Sequence, residues 1–267
     1  MSCEIKTVNT GKCDIKYFTF GSGKKTFVIL PGLSVKSVLL SAEIVASAYD
    51  SFAAEYTVYL FDRRENLPER YTVSDMARDT ADAMKALGLS DVYLFGASQG
   101  GMMALLIAAE NPGLVKKLAL GSSCVSMGSE SFGVIRGWID LARKKDGRAL
   151  FLDFGEKLYP REFFEKNENA FAVIGESVTD EEFERFIILA EGTEGFSAES
   201  GIPFIKCPVL ILNAADDAVL GSRAGEELIA AFKDRPGFSY HVYDGYGHAA
   251  FDTAPDYKER LKSFFNA

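Results

Sequence analysis

The stretch that most constrains this chain joins a short apolar run, a glycine–serine turn and a second apolar run. Residues 92–95 are apolar and rich in strand-forming types, and they lead into Gly-Ala-Ser-Gln-Gly at 96–100. The small apolar residues at 102–109 predict a helix directly after this turn. A serine held on a sharp turn between a strand and a helix has a strained backbone, so only glycine fits two positions before and after it. Such a turn would raise Oγ of Ser98 above the C-terminal edge of a parallel sheet, where it could attack a carbonyl group.

A Gly-x-Ser-x-Gly pentapeptide alone is a weak signal, because it also occurs in glycine-rich loops without any chemistry. The context that favours a catalytic serine is a strand before the turn and a helix after it. Both are predicted around Ser98. The backbone N–H of Gln99, and the positive end of the following helix, would then point at the same place as the serine hydroxyl.

The rest of the chain alternates between predicted strands and predicted helices. Strands are predicted as a hairpin within 4–20 that turns at 9–12, and then at 26–30, 56–61, 92–95, 117–121, 207–212 and 238–243. Helices are predicted at 38–54, 72–88, 102–109, 222–232 and 255–265. This alternation indicates βαβ crossovers, and therefore an α/β fold with a mostly parallel sheet flanked by helices.

A block without convincing strands interrupts this alternation between residues 131 and 195. Four helices are predicted there, at 134–144, 148–158, 162–174 and 180–191, and the last opens with a capping-box pattern at Thr179. We interpret the block as a helical cap inserted over the carboxyl edge of the sheet. The expected organisation is a core formed by residues 1–127 and 202–267, with a cap at 128–201.

Charge and composition narrow the functional classes. The net charge of −9 argues against a nucleic-acid-binding surface and against docking on anionic membranes. No apolar run approaches the roughly 18 residues that span a bilayer, and the first residues show no secretory signal. The cysteines, which lack metal-ligand spacing, are expected to be reduced, so a cytoplasmic protein without a metal site is predicted. These cysteines are Cys3, Cys13, Cys124 and Cys207. A Cys3–Cys13 disulfide across the predicted hairpin is the alternative.

Five ordered segments give the chain a resemblance to a known family. They are LPGL at 30–33, GASQGG at 96–101, AAENPGLVKKLALGSS at 108–123, PVLILNAADDAV at 208–219 and GYGHAAF at 245–251. In this order they resemble the α/β-hydrolase fold superfamily, specifically its lid-bearing serine esterase and lipase-like branch. The resemblance covers nearly the whole chain and implies an eight-stranded, mostly parallel sheet with an inserted cap.

A serine nucleophile needs a base, and the chain has only two histidines. His241 falls inside a predicted strand, where a packed or surface role is expected. His248 follows Gly-Tyr-Gly in a predicted loop, which would allow it to reach the serine. The resemblance implies that His248 is the catalytic base, because the family's histidine lies in this Gly-His setting.

The histidine in turn needs a carboxylate that fixes its tautomer and stabilises its charged form. Asp216 and Asp217, after the seventh strand, are both candidates. The family's acid falls at the tenth position counted from Pro208, so the resemblance favours Asp217. The resulting chain order of Ser98, Asp217 and His248 is the order this fold uses.

Two backbone N–H groups should stabilise the oxyanion formed during acyl transfer. One is that of Gln99, and the resemblance implies Leu33 as the second. Here the chain departs from the family, because Pro31-Gly32 replaces the common His-Gly. A backbone donor can survive this replacement, but the contact made by the family's histidine side chain is lost.

The expected function is cofactor-free hydrolysis of a small or medium acyl ester by Ser98, Asp217 and His248. The expected partner is a small molecule with an apolar acyl or alcohol part, because the predicted cap is rich in aromatic residues. A serine at position 98 disfavours dehalogenase and epoxide-hydrolase chemistry, for which this family uses aspartate. Carbon–carbon bond hydrolysis, perhydrolysis and lyase chemistry remain alternatives within the same fold, and a ligand-binding protein with little turnover is the alternative outside enzymes.

Overall fold

The computed structural model describes residues 4–129 and 131–267, which form an eight-stranded sheet with helices on both faces. Cys3, one of the four cysteines predicted to be reduced, lies outside the described residues. Cys13, Cys124 and Cys207 are unpaired thiols. The strands are β1 Ile5–Asn9, β2 Asp14–Phe20, β3 Lys25–Leu30, β4 Tyr56–Arg64, β5 Val92–Ala97, β6 Val115–Gly121, β7 Val209–Ala214 and β8 Phe238–Tyr243.

The strand order places the glycine–serine turn in the middle of the sheet. The order is β1-β2-β4-β3-β5-β6-β7-β8, and only β1–β2 and β2–β4 are antiparallel. The mostly parallel eight-stranded sheet predicted from the sequence is therefore confirmed. The loops that follow β3, β5, β6, β7 and β8 emerge at one edge, because these five strands run in the same direction.

Ten α-helices lie in the described part of the chain. They are α1 Ala42–Ala48, α2 Val73–Ala86, α3 Gln99–Glu110, α4 Phe132–Arg143, α5 Gly147–Leu158, α6 Arg161–Glu176, α7 Asp180–Glu191, α8 Ser222–Phe232, α9 Ala250–Thr253 and α10 Tyr257–Asn266. Short 3-10 helices occupy Val38–Ser41, Asp50–Phe52 and Glu199–Phe204.

The helical segment predicted at 38–54 is confirmed only in part. The segment is a 3-10 turn, the short helix α1 and a second 3-10 turn. Tyr49, with φ −110° and ψ 17°, ends α1, and the turn after it packs the ring of Phe52 against Phe27, with 5.0 Å between ring centroids. Packing against the sheet therefore overrides the helical periodicity of the sequence here.

Two hydrophobic cores cover the two faces of the sheet, and the central strand β5 contributes side chains to both. Val92 and Leu94 belong to the core under α2 and α3, whereas Tyr93 and Phe95 belong to the core under α1 and α10. This alternation is the two-residue period of a strand buried on both faces, which explains its continuously apolar sequence.

Helices α4–α7 occupy the segment between β6 and β7, where the sequence predicted helices. The two ends of the segment pair at its base, since Met127 N–H donates to Phe196 O at 2.8 Å and Ala198 N–H donates to Val125 O at 2.8 Å. The division into a core and a separate cap at 128–201 stays a prediction. In the described part of the chain, no helix is both long and apolar enough to cross a membrane.

Helix α7 is tied to the sheet by charged and polar contacts. Arg185 forms an ion pair with Asp62 at 2.6 Å, and Glu182 forms one with Lys36 at 2.8 Å. The turn after α7 is held by the start of helix α2, because Val73 N–H donates to Gly192 O at 3.0 Å. These contacts fix α7 over the C-terminal edge of the sheet.

Candidate active site

Ser98 lies between β5 and α3 in a strained backbone conformation, with φ 53° and ψ −122°. Residues other than glycine rarely adopt positive φ, and the cost of about 1–3 kcal/mol is tolerated mainly at functional sites. The flanking glycines are required by close contacts. A Cβ on Gly96 would lie 2.3 Å from Gly100 O, and a Cβ on Gly100 would lie 2.1 Å from Leu30 O.

Both peptide groups of Ser98 are anchored to the end of β6. Its N–H donates to Gly121 O at 2.8 Å, and its carbonyl oxygen accepts a hydrogen bond from Ser123 Oγ at 2.9 Å. The serine is therefore held on a rigid part of the sheet, and this precise placement is what a nucleophile needs.

His248 and Asp217 form a buried pair. Nδ1 of His248 lies 2.7 Å from Oδ2 of Asp217, and the two residues are 1% and 8% exposed. The other carboxylate oxygen of Asp217 accepts the N–H groups of Val219 and Leu220, at 2.8 and 2.9 Å. Burial by itself raises the pKa of Asp217, but His248 and these two donors outweigh it and hold the pKa below the ordinary 3.8. Asp217 is therefore an anion at neutral pH.

The two candidate aspartates contact the histidine loop in different ways. Asp217 contacts the imidazole of His248, whereas Oδ2 of Asp216 accepts the backbone N–H of Gly247 at 3.0 Å. The structure therefore places Asp217 against the histidine side chain and Asp216 against the loop backbone. His241 lies on β8 with its ring edge-on to Tyr243, and it does not reach this site.

Ser98, His248, Leu33 and Gln99 line one small cavity of about 20 Å³. The remaining wall is almost wholly apolar and is formed by Met102, Ile135, Trp138, Phe154, Leu158, Thr193 and Val219. The cavity thus brings together four of the five site residues predicted from sequence, with Asp217 directly behind His248. A volume of this size holds about one water molecule.

Leu33 and Gln99 both line this cavity, and their N–H groups are the candidate oxyanion donors. Neither donates a hydrogen bond within residues 4–129 and 131–267, and Gln99 is the first residue of α3, where the N–H has no partner within the helix. The loop that carries Leu33 touches the nucleophile, because a Cβ on Gly32 would lie 3.2 Å from Ser98 Cβ. Two unpaired backbone donors therefore flank Ser98.

Trp138 of α4 is held tightly in the wall above Ser98. Its Nε1 donates to Asp153 at 2.7 Å, and its ring lies 3.9 Å from that of Phe154, centroid to centroid. Of the aromatic residues expected in the cap, these two line the cavity. The sequence pattern did not distinguish them from the others, because cavity-facing and core-facing aromatic residues share the same helical spacing.

Arg63, at the end of β4, contacts the site but was not predicted from the sequence. Its Nη2 donates to Pro31 O at 2.9 Å and to Gln99 Oε1 at 3.0 Å. Nε2 of Gln99 continues to Leu189 O and Thr193 Oγ1, at 2.8 and 2.9 Å. The sequence signal was a run of charged residues directly after an apolar strand, which is also what an ordinary strand end looks like.

In the described ranges, no group of three or more His, Cys, Asp or Glu side chains is arranged to hold a metal ion.

Comparison with known proteins gives results consistent with this architecture. The family model described as alpha/beta hydrolase fold matches residues 25–255. The "Putative carbamate hydrolase RutD" of Pantoea ananatis is 26% identical over 225 residues, which is 82% of this chain and 77% of the relative. "Serine hydrolase BPHL" of Mus musculus is 23% identical over 77% of this chain and 68% of its own length.

Solved structures share the fold over nearly the full chain. An alpha/beta hydrolase enzyme from a Medee basin deep-sea metagenome library has a TM-score of 0.85 at 20% identity, covering 99% of this chain and 98% of its own. The enol-lactonase from Burkholderia xenovorans has a TM-score of 0.82 at 19% identity, covering 98% of this chain and 100% of its own. At these identities the likeness concerns the fold.

Proposed function

The chain belongs to the alpha/beta hydrolase fold family, and on that premise we propose that it is a serine hydrolase that cleaves esters of small acyl groups. The observation that carries the proposal is the buried His248–Asp217 pair, whose histidine lines the same cavity as the strained Ser98 and the residues Leu33 and Gln99. Each of these features alone has a structural explanation. Their convergence on one cavity of about 20 Å³ is what acyl transfer requires.

In the proposed mechanism, Oγ of Ser98 attacks the carbonyl carbon of the ester while Nε2 of His248 takes the hydroxyl proton. The carboxylate of Asp217 accepts a hydrogen bond from Nδ1–H of His248, which fixes the tautomer and stabilises the imidazolium. The N–H groups of Leu33 and Gln99 bind the oxyanion of the tetrahedral intermediate. The carbon–oxygen bond to the alcohol then breaks, and His248 returns its proton to the leaving alcohol.

In the second half of the reaction, water takes the place of the alcohol, and the steps that formed the acyl-serine run in reverse. His248 removes a proton from the water as it attacks the acyl-serine, and the two N–H groups again bind the oxyanion. Collapse of the second intermediate releases the carboxylic acid and returns the proton to Ser98. No redox or group-transfer partner is needed, because water supplies the hydroxyl group that the acid gains and the hydrogen that the alcohol gains.

The size and lining of the cavity favour a short, apolar acyl group. The space of about 20 Å³ beside Ser98 leaves little room for a long acyl chain, and its wall is formed mainly by aliphatic and aromatic side chains. The anionic chain, with net charge −9, favours neutral over anionic esters. We therefore narrow the expected small or medium acyl range to its short end.

The names of the similar proteins support hydrolysis at an acyl–heteroatom bond. Carbamates and enol lactones, named for the Pantoea relative and the Burkholderia structure, both carry a carbonyl carbon bonded to oxygen. The unpaired thiols of Cys13, Cys124 and Cys207 support a cytoplasmic location, because disulfides are rare there. The proposed partner is a neutral small molecule.

The test is hydrolysis of p-nitrophenyl esters from acetate to decanoate by wild type and by Ser98→Ala. We expect turnover to be highest on acetate and to fall with chain length. Replacing Ser98 is expected to reduce kcat by about 10⁴-fold or more, because the nucleophile acts in both halves of the reaction. Undiminished turnover by the alanine variant would refute the mechanism.

A wild type that is inactive on every ester would redirect the search. A β-diketone substrate would then test carbon–carbon bond hydrolysis, which the same three residues can perform. Tight binding of a ligand that is released unchanged would instead indicate a binding protein.

A further inference from the structure

The guanidinium of Arg63 lies between the two backbone segments that carry the candidate oxyanion donors. Arg63 is the penultimate residue of β4 and is 5% exposed. One of its nitrogens, Nη2, donates both to Pro31 O at 2.9 Å and to Gln99 Oε1 at 3.0 Å. A guanidinium nitrogen carries two hydrogens in a fixed plane, so it can hold two acceptors at a set separation.

These two acceptors belong to the segments that must be aligned. Pro31 begins the loop that carries Leu33, and Gln99 provides the other N–H group from its own backbone. The distance between the two donors therefore depends on how the loop after β3 sits against the first turn of α3. In the described structure, Arg63 joins the two through a single atom.

The far end of Gln99 is fixed as well. Its side-chain nitrogen donates to Leu189 O and to Thr193 Oγ1, on and just after α7. Gln99 is 2% exposed and uses both its amide oxygen and its amide nitrogen in these bonds. The side chain therefore cannot rotate without breaking contacts on two sides.

The placement of Arg63 costs stability. Burial lowers its pKa to about 10, the charge of Asp62 opposes this lowering, and the charge of Arg185 adds to it. Its side chain donates to neutral carbonyl oxygens, and its Nε finds no partner among the described residues. A buried cation bonded only to neutral acceptors is unfavourable compared with an apolar side chain of similar size. Stability alone does not account for an arginine here.

We propose that Arg63 is a positioning residue for the oxyanion site, holding the loop of Leu33 and the first turn of α3 so that both N–H groups point at one oxygen. The proposal rests on the proposed function. It also accounts for the unusual Pro31-Gly32: proline offers no polar side chain to fix the loop, and here the loop is fixed through its carbonyl oxygen.

The test compares Arg63→Met and Arg63→Lys with Arg64→Met on p-nitrophenyl acetate. Misalignment of the two N–H groups should lower kcat of Arg63→Met roughly 10- to 100-fold, which is less than the loss caused by removing an oxyanion donor outright. KM should change less than about threefold. Lysine keeps the charge and can reach one acceptor, so an intermediate kcat is expected. Arg64 contacts Asp79 on α2, away from the cavity, and is the matched control for losing a guanidinium from the same strand.

Two further measurements separate positioning from general destabilisation. The second-order rate of Ser98 labelling by a fluorophosphonate needs the oxyanion donors but no known substrate, and it should fall in Arg63→Met in parallel with kcat. Hydrogen exchange at the amides of Gly101 and Met102, which donate to Ser98 O in the first turn of α3, should accelerate in Arg63→Met and stay at the wild-type rate in Arg64→Met. If Arg63→Met is unfolded at the assay temperature, Arg63→Lys carries both measurements.

The outcomes distinguish this inference from the proposed function. Labelling and kcat within twofold of wild type in Arg63→Met would overturn the positioning role alone. Equal losses in Arg63→Met and Arg64→Met would overturn it too, because both variants would then act through stability. A wild type that neither hydrolyses esters nor reacts with the fluorophosphonate would refute the proposed function and this inference together.

Discussion

At the scale of single residues, the adjacent aspartates Asp216 and Asp217 show how one position along the chain separates two roles. Asp217 bonds the imidazole of His248, while Asp216 bonds the N–H of Gly247. Both hold the histidine loop, but only Asp217 contacts the ring that would carry the proton. The two side chains therefore differ in what an amide replacement would change.

We expect Asp217→Asn to lower kcat far more than Asp216→Asn, by about 10³- to 10⁴-fold against less than about tenfold. Asparagine at 217 can hold the wrong tautomer of His248, whereas asparagine at 216 keeps an oxygen that accepts the Gly247 N–H. The measurement is kcat of both variants on the preferred ester. Because the pKa of Asp217 is held below 3.8, protonation of this carboxylate should not contribute to the pH dependence of wild-type kcat between about pH 5 and pH 8.

The opposite ranking would contradict the proposed role of Asp217. A larger loss in Asp216→Asn would mean that the position of the loop backbone matters more than the carboxylate on the ring. The role of the acid would then pass to Asp216.

The sequence located several of these residues because local patterns mark them. The glycines around Ser98 are required by contacts within one turn, and a pattern of five residues carries that information. Arg63 could not be found in this way. Its acceptors lie 32 and 36 positions away along the chain, and only the fold brings them together.

At the scale of secondary-structure elements, the patterns that predicted helices well are those whose energetics are local. The capping box at Thr179 is present, with Glu182 bonded in both directions, and α7 begins and ends at the predicted residues. The prediction for 38–54 is confirmed only in part, because contacts of Tyr49 and Phe52 with Phe27 of the sheet break the segment into shorter helices. The helical spacing of apolar residues in the sequence does not predict such contacts.

The pairing of α5 with α6 depends on two glycines that the sequence analysis did not single out. A Cβ on Gly175 would lie 2.3 Å from Gly147 O, and a Cβ on Gly147 would lie 2.2 Å from Gly175 O. The two helix backbones therefore touch directly. Any side chain at this crossing must push them apart.

Gly175→Ala should lower the free energy of unfolding by about 1–3 kcal/mol, because the added methyl group overlaps backbone atoms. The matched control is Gly137→Ala in α4, where a Cβ meets nothing within 4 Å. This control should instead raise stability by about 0.4–1 kcal/mol, since alanine restricts the unfolded chain. Urea unfolding of both variants checks the pair, and equal effects would show that the close helix contact is not maintained in solution.

At the scale of the whole molecule, the cavity is formed jointly by the sheet edge and the helices that lie over it. The core contributes Ser98, His248 and Leu33, and the intervening helices contribute Trp138 and Phe154. The order of the strands and helices followed from the sequence and its resemblance to a family. The size of the cavity did not, because it depends on how side chains from two distant segments meet.

Trp138→Ala should shift the preferred ester toward longer acyl chains. Its indole forms part of the cavity wall and is fixed by Asp153 and Phe154, so removing it should enlarge the cavity that Ser98 lines. We expect kcat/KM on hexanoate, relative to acetate, to rise about tenfold or more, in line with what methylene groups contribute in apolar pockets. The assay is the chain-length series for wild type and variant.

The matched control is Phe163→Ala, which removes a half-exposed aromatic ring of α6 that stacks on Tyr159 outside the cavity. This variant should keep the wild-type chain-length profile. An unchanged profile in Trp138→Ala would show that another part of the wall limits the acyl group.

The arrangement of the site along the strands has a consequence for the protein while it is being made on the ribosome. Ser98 follows β5, and its elbow is held by β3 and β6, all of which emerge early during translation. Its base and acid follow β8 and β7, on the far side of α4–α7. During translation, the turn that carries Ser98 is therefore made well before His248, the base that would deprotonate the serine. Ser98 would react with acyl compounds in the cell only once the loop that carries His248 has docked. Incomplete nascent chains should therefore not be acylated at Ser98.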